Sequence, residues 1–182
     1  MRPQGYGFQY DDMLGEVRSA IAGGTVWDVA AINDTVFIIG WLKDSSTDMF
    51  QLKIQAPHSR VLGSVLGDIH VHECLESAST AGQTIIWTTQ YCWIKPGMVI
   101  PANSGWTTSP ITTQTLTTQA AFYYTLFELA INIPAITAED YGSILLVKVS
   151  RGDGTYSGRV GILDADAHSL KGKLGSKNTY TD

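Results

Sequence analysis

Positive charge is scarce. Only 12 of the 182 residues are Lys or Arg, against 17 Asp and Glu, and the basic residues are scattered. A nucleic-acid groove needs clustered cations facing phosphate, so the composition argues against one. A basic segment lying on anionic membrane is equally disfavoured. No run of residues approaches the roughly 18 apolar positions of a membrane helix. The first residues, Met1-Arg2-Pro3-Gln4-Gly5, begin no apolar signal-peptide core. The expectation is a soluble protein made in the cytoplasm. Cysteine is limited to Cys74 and Cys92, with no CxxC spacing, which excludes a zinc ribbon. A bridge between them across paired strands is geometrically possible. Two buried free thiols are the expectation, because Cys packs as a small apolar residue. The four histidines, at 58, 70, 72 and 168, leave little for a multi-metal centre. There is no Gly-x-Ser-x-Gly elbow. Gly152-Asp153-Gly154 lacks the following Gly-Lys-Ser/Thr of a phosphate loop. No internal repeat or low-complexity block occurs.

What is present suffices for one core. The chain is 44% hydrophobic, and its length suits one main domain. Residues 1–24 read as an N-terminal arm and one short helix. Asp11 or Asp12 would cap it, Met13, Leu14, Val17, Ala20 and Ile21 fall at helical spacing, and Gly23-Gly24 stops it. Beyond it the pattern is strand-like. Thr25–Ala30 and Thr35–Trp41 flank an Asn33-Asp34 turn. Phe50, Leu52, Ile54 and Ala56 alternate with polar residues as a half-buried strand does. Asp68–Leu75 and Thr84–Ile94 follow, read as a hairpin. Residues 95–114 form a long Pro-, Gly-, Ser- and Thr-rich connection containing Trp106. Thr115–Leu129, Ser143–Ser150 and Gly158–Asp166 complete about eight strands. The fold class is all-β: an antiparallel β-sandwich, with a jelly roll as the leading form, over residues 25–169. Residues 170–182 are a Gly-, Lys- and Thr-rich tail.

Several constellations could carry chemistry. His70-x-His72 puts two imidazoles on one strand face, and with Glu76 it has the spacing of a first cupin motif. Gly63 is displaced by one position from that motif. Pro96-Gly97 and Asn103 imitate the second motif without its histidine, so the ligand set is incomplete. Asp164, Asp166 and His168 would share another strand face, bland unless they hold a cation or a subunit. Trp87, Tyr91 and Trp93 share one face. They read as core, and as a sugar-stacking or contact platform only if exposed. Arg151-Gly152-Asp153 matches an adhesion tripeptide, which a plain turn explains equally. Trp106 is harder to bury and is the better contact residue.

Five segments stand in a specific order. They are Phe50–Ile54 with Ala56-Pro57-His58; Asp68-Ile69-His70-Val71-His72; the aromatic strand Trp87 to Trp93; Ser143–Val149; and Gly154–Gly158 with Leu163–His168 and Leu174–Tyr180. Together, over roughly residues 48–182, they resemble a family of small structural proteins of tailed bacteriophages. The sequence departs from that pattern in the first 47 residues, and at Glu73-Cys74, where the family pattern has an aromatic residue.

The resemblance implies a virion component, not an enzyme, without a cofactor. It points to a capsid cement or decoration protein, or one at the neck or tail. The implied partners are other copies of the chain, with a trimer preferred, and the major capsid protein or neck and tail proteins. The contact residues expected are Trp106, then Tyr6, Phe8 and Tyr10 of the arm and Tyr180 of the tail. Two alternatives stand beside this reading. One is a host-surface or glycan-binding knob with Trp106 and the Asp153 turn at its tip. The other is a cupin-like metal enzyme using His70, His72 and Glu76.

Overall fold

The computed structural model describes residues 9–14, 16–19, 31–32, 36–37, 40–43, 48–55, 66–100, 105–129, 131 and 142–171. Period-2 alternation explains most of its strands. In β6 (Met49–Gln55), Phe50, Leu52 and Ile54 are buried while Lys53 and Gln55 face water. In β12 (Ile144–Gly152), Leu145, Val147 and Val149 point inward and residues between them are half-buried. Such segments bury one face only when a second sheet covers it.

The strands form two main sheets. Sheet 1 has the order β1 (Gln9–Leu14), β13 (Val160–Lys171), β7 (Leu66–Leu75), β11 (Tyr124–Leu129), with β5 (Gly40–Leu42) also pairing with β13. Sheet 2 has the order β10 (Thr112–Thr115), β8 (Thr84–Ile94), β12, β6, β2 (Glu16–Ser19), with β9 (Thr107–Thr108) also on β8. A separate pair joins β3 (Ala31–Ile32) to β4 (Val36–Phe37). The chain changes sheet between β5 and β6, and again at each step to β7 and β8. After β9 and β10 it crosses to β11, then to β12, then to β13. All pairings are antiparallel. This interleaving, with β5-β13-β7-β11 against β6-β12-β8-β10, is the jelly roll.

The core lies between the sheets. Phe50, Leu52 and Ile54 meet Ile69, Val71 and Leu75, with Ile85, Trp87, Tyr91, Val147, Val149, Val160 and Ile162 in the same cluster. Trp87 and Tyr91 are therefore core, and Trp93 packs against it from a half-buried position. The core reading of these aromatics holds. Cys74 and Cys92 are buried free thiols in opposite sheets, so no bridge joins them. Burial pushes the Cys74 thiol up to about 11, with Glu73 adding to the shift.

Four expectations are corrected. The segment read as a helix is strand: Gln9–Leu14 pairs with β13, and Glu16–Ser19 pairs with β6. Helical spacing was present, but sheet edges supplied backbone partners that a short isolated helix does not have. Part of the arm, including Tyr10 opposite Leu170, is thus built into sheet 1. Second, Asp68–Leu75 and Thr84–Ile94 are not a hairpin, because they lie in different sheets. Their connection instead crosses the end of the sandwich, where Ser79 bridges Gln119. Third, the 95–114 connection carries β9 and most of β10. Fourth, the tail begins later than expected, since β13 runs to Lys171. Thr25–Ala30, the Asn33-Asp34 turn, Pro57-His58, Gly63 and Asn103 lie outside the described residues.

The crossing from β12 to β13 is tight. A Cβ on Gly154 would overlap the Thr84 carbonyl oxygen and stand 3.0 Å from its carbon and 3.2 Å from Ile85 Cα. Backbone atoms cannot step aside as a side chain can. Gly154→Ala is expected to lower stability by about 1–3 kcal/mol, read as a lower urea midpoint at unchanged slope.

Candidate functional site

The outer face of sheet 1 gathers groups that lie far apart in sequence. His70 and His72 project from β7 between β11 and β13. In register, His72 stands between Leu126 and Asp164, and His70 between Glu128 and Asp166. His72 Nδ1 lies 2.7 Å from the Tyr124 hydroxyl, and Nε2 lies 3.2 Å from Asp166 Oδ2. Its ring stacks on Tyr124 at 5.9 Å between centroids. Both ring nitrogens therefore have a polar partner within the same sheet. His70 bridges two carboxylates, at 3.5 Å from Asp166 Oδ1 and 3.4 Å from Glu128 Oε1.

The sequence treated the His70-x-His72 strand and the Asp164-x-Asp166 strand separately, and the sheet places them side by side. The His168 side chain lies outside the described residues. Glu76 does not join them. Its carboxylate is held by Arg159 at 2.6 Å, and that hydrogen bond holds its pKa below the usual carboxylate range. Among the described residues, no group of three or more His, Cys, Asp or Glu side chains is arranged to hold a metal ion. The His70, His72, Glu76 set is therefore not assembled.

Beside this polar strip runs an apolar ledge. Phe122, Tyr123, Tyr124 and Leu126 are 45%, 56%, 53% and 46% exposed. Phe122 has a φ of 59°, in the left-handed region that a bulky side chain rarely adopts. Its amide donates to the Leu75 carbonyl at 2.7 Å, and its ring meets Trp41 edge-on at 6.4 Å. Trp41, Cys74 and Leu163 form a small second cluster on this outer face, with the Arg159 guanidinium over Trp41. Strain of this kind concentrates where a contact needs a particular side chain presented.

A second exposed group is Met98, Val99, Ile100 and Ile111. Trp106 is half-buried beneath the Lys148 ammonium, 3.8 Å from the ring centre. The Asp153 turn does not share a tip with it. That turn lies beside Thr84, where Thr155 receives the Thr84 amide, whereas Trp106 precedes the strand paired at Tyr91. Seven residues of β8 separate the two points, roughly 23 Å at strand rise. Arg151, the first residue of the adhesion-like tripeptide, is fully buried. Tyr6, Phe8 and Tyr180 lie outside the described residues.

Inside the sandwich is a polar centre that the sequence reading missed. Glu73 occupies an inward position of β7, fully buried, and accepts a short hydrogen bond from Gln114 Nε2. Gln114 in turn accepts from Trp87 Nε1 at 3.0 Å. Arg151, the inward residue after Val149, donates to the carbonyls of Leu42 at 3.1 Å, Gly158 at 2.6 Å and Tyr156. Burial pushes the Glu73 carboxyl up to about 7, against the opposing pull of Gln114 and Arg151. The signal was available in principle: each charged residue sits in the apolar phase of its strand.

No protein-family model matches the chain, and no curated protein matches it significantly. Among solved structures, the chain is similar to TmCBM61, solved in complex with β-1,4-galactotriose. Identity is 16%, the match covers 91% of this chain and 88% of that one, and the TM-score is 0.26.

Proposed function

We propose that the chain is a structural protein of a tailed-bacteriophage particle, acting by contact rather than catalysis. In this reading it is a cement or decoration protein that self-associates, with a trimer preferred, and covers its apolar ledges against neighbouring copies and capsid protein. The observation that carries the reading is the exposed ledge of Phe122, Tyr123, Tyr124 and Leu126 along one edge of a closed-packed sandwich. Contiguous exposed aromatics of this kind mark contact surfaces, and Tyr and Phe are enriched in the buried centres of interfaces. The segment order described above supplies the particle context. The nitrogens of His70 and His72 face side chains of the same sheet, which fits a structural strip. The knob reading loses its proposed tip, because Trp106 and Asp153 stand apart.

Mass spectrometry of purified, nuclease-treated virions tests the reading. The chain is expected in fixed stoichiometry to the major capsid protein. Its absence from washed particles overturns the proposal. Tyr123→Ser with Leu126→Ser is expected to lower its occupancy on particles severalfold. Exposed substitutions typically change stability by only about 0.5 kcal/mol each, so thermal unfolding serves as the control for fold.

A further inference from the structure

β11 ends sheet 1, and among the described residues no strand lies against its second edge. Such an edge offers a row of backbone donors and acceptors to any extended segment. Natural edges are usually blunted by proline, lysine or a bulge. β11 has none of the three: its sequence is Tyr-Thr-Leu-Phe-Glu-Leu, and its register with β7 is unbroken. The outer side chains are Tyr124, Leu126 and Glu128, and the inner ones are Thr125, Phe127 and Leu129. On its outer side Glu128 is 64% exposed, and beyond His70 and His72 of β7 stand Asp164 and Asp166 of β13.

The chain itself carries a complementary segment. Eleven residues, 172–182, follow the end of β13. In extended form Lys173 and Lys177 fall on one face, and Leu174 and Tyr180 on the other. We propose that residues 172–182 of one copy add as a strand to the β11 edge of a second copy. Lys173 and Lys177 then lie on the outer side with Glu128, and Leu174 and Tyr180 lie on the inner side with Phe127. This inference rests on the reading of the chain as a self-associating structural protein and names the contact it uses.

Reach favours the second copy over the chain's own edge. β7 separates β13 from β11, so a strand beyond β11 stands three spacings away, roughly 14 Å. Crossing that distance takes about four residues at ~3.4 Å each. It would spend 172–175, removing Lys173 and Leu174 from the pairing. A tail arriving from a neighbour keeps all of them. A tail-to-edge contact is heterologous, so it closes into a ring when the rotation between copies permits. A trimer is the smallest such ring beyond a dimer.

The test uses the full chain in sedimentation velocity over a concentration series. The wild type is expected to associate. Lys173→Glu with Lys177→Glu, and separately Glu128→Lys, are each expected to raise the dissociation constant about tenfold or more. Combining all three restores opposite signs across the pairing and is expected to recover most of the loss. Glu128→Gln, which removes the charge without reversing it, should give a smaller loss in the same direction. Association unchanged by the lysine variants overturns the proposal, as does a monomer at every concentration. So does concentration-independent exchange protection of residues 172–182 in the monomer, which would put the tail on its own edge. A chain found in virions whose association ignores these charges leaves the structural role standing and removes only this contact.

Discussion

Arg151→Met is expected to destabilise the fold by about 3–5 kcal/mol, the range seen when one partner of a buried charge pair is removed. The physical reason is local. The Arg151 guanidinium donates to the carbonyls of Leu42, Tyr156 and Gly158. It therefore ties the end of β5, the crossing after β12 and the approach to β13 at one point. A thioether of similar length fills the space but leaves those carbonyls without their donor, and unsatisfied buried groups cost on the order of 1–3 kcal/mol each. It also removes the nearby positive charge that opposes the effect of burial on the Glu73 carboxyl. Arg151→Lys should recover only part of the loss, because one ammonium cannot reproduce the planar fork. Urea unfolding at neutral pH measures both. A Met variant within 1 kcal/mol of wild type, on the scale of ordinary surface changes, would contradict the role assigned to Arg151.

Glu73→Gln is expected to stabilise the protein at pH 8 and to change little at pH 4. The Glu73 carboxyl is pushed up to about 7, chiefly by burial. An unfolded glutamate titrates near 4.3. A raised folded pKa means that the folded state holds the proton more tightly. Its contribution is therefore fully present below about pH 4.3 and is lost as pH rises to about 7, where it levels off. A shift of that size corresponds to about 4 kcal/mol across the window. Gln is neutral throughout and retains an acceptor for Gln114. The variant's advantage should therefore grow from pH 4 to 7 and stay constant above. Chemical unfolding of both proteins at a series of pH values reads this directly. Parallel curves for the two proteins would show that Glu73 ionises freely in the fold. The double variant with Arg151→Met should be less damaging than the two single effects summed, because the two groups share one low-dielectric site.

The sheet was legible where one face is apolar and the other polar. Phe50, Leu52 and Ile54 announce β6, and the continuous aromatic run announces β8. The all-β class and the jelly roll followed from the number of such strands. Pairing was less legible. Asp68–Leu75 and Thr84–Ile94 look like neighbours because a short polar connection joins them, yet that connection passes from one sheet to the other. Alternation says which face is buried, and it is silent on which sheet buries it. The segment around Met13 and Val17 failed for a different reason. A few apolar residues fit two periods, and the open edges at β13 and β6 decide between them.

The polar strip was half legible. His70 and His72 were visible as a same-face pair, and Asp164 with Asp166 as another, but only the β7–β13 register joins them. The ledge was least visible. Phe122, Tyr123 and Tyr124 fall inside the strand expected over Thr115–Leu129, and nothing local says that three successive large residues remain exposed. Their exposure follows from β11 standing at the edge. Glu73 is the instructive residue. It broke the expected aromatic position in the strand, and the structure places it inside, against Gln114, where its charge is costly.

The most direct measurement is the molar mass of the purified full chain by sedimentation equilibrium. The account predicts a mass that is a small multiple of 19.8 kDa and falls towards 19.8 kDa when Tyr123 and Leu126 are both changed to Ser. A wild-type mass of 19.8 kDa at every concentration, with the ledge still exposed, would contradict it.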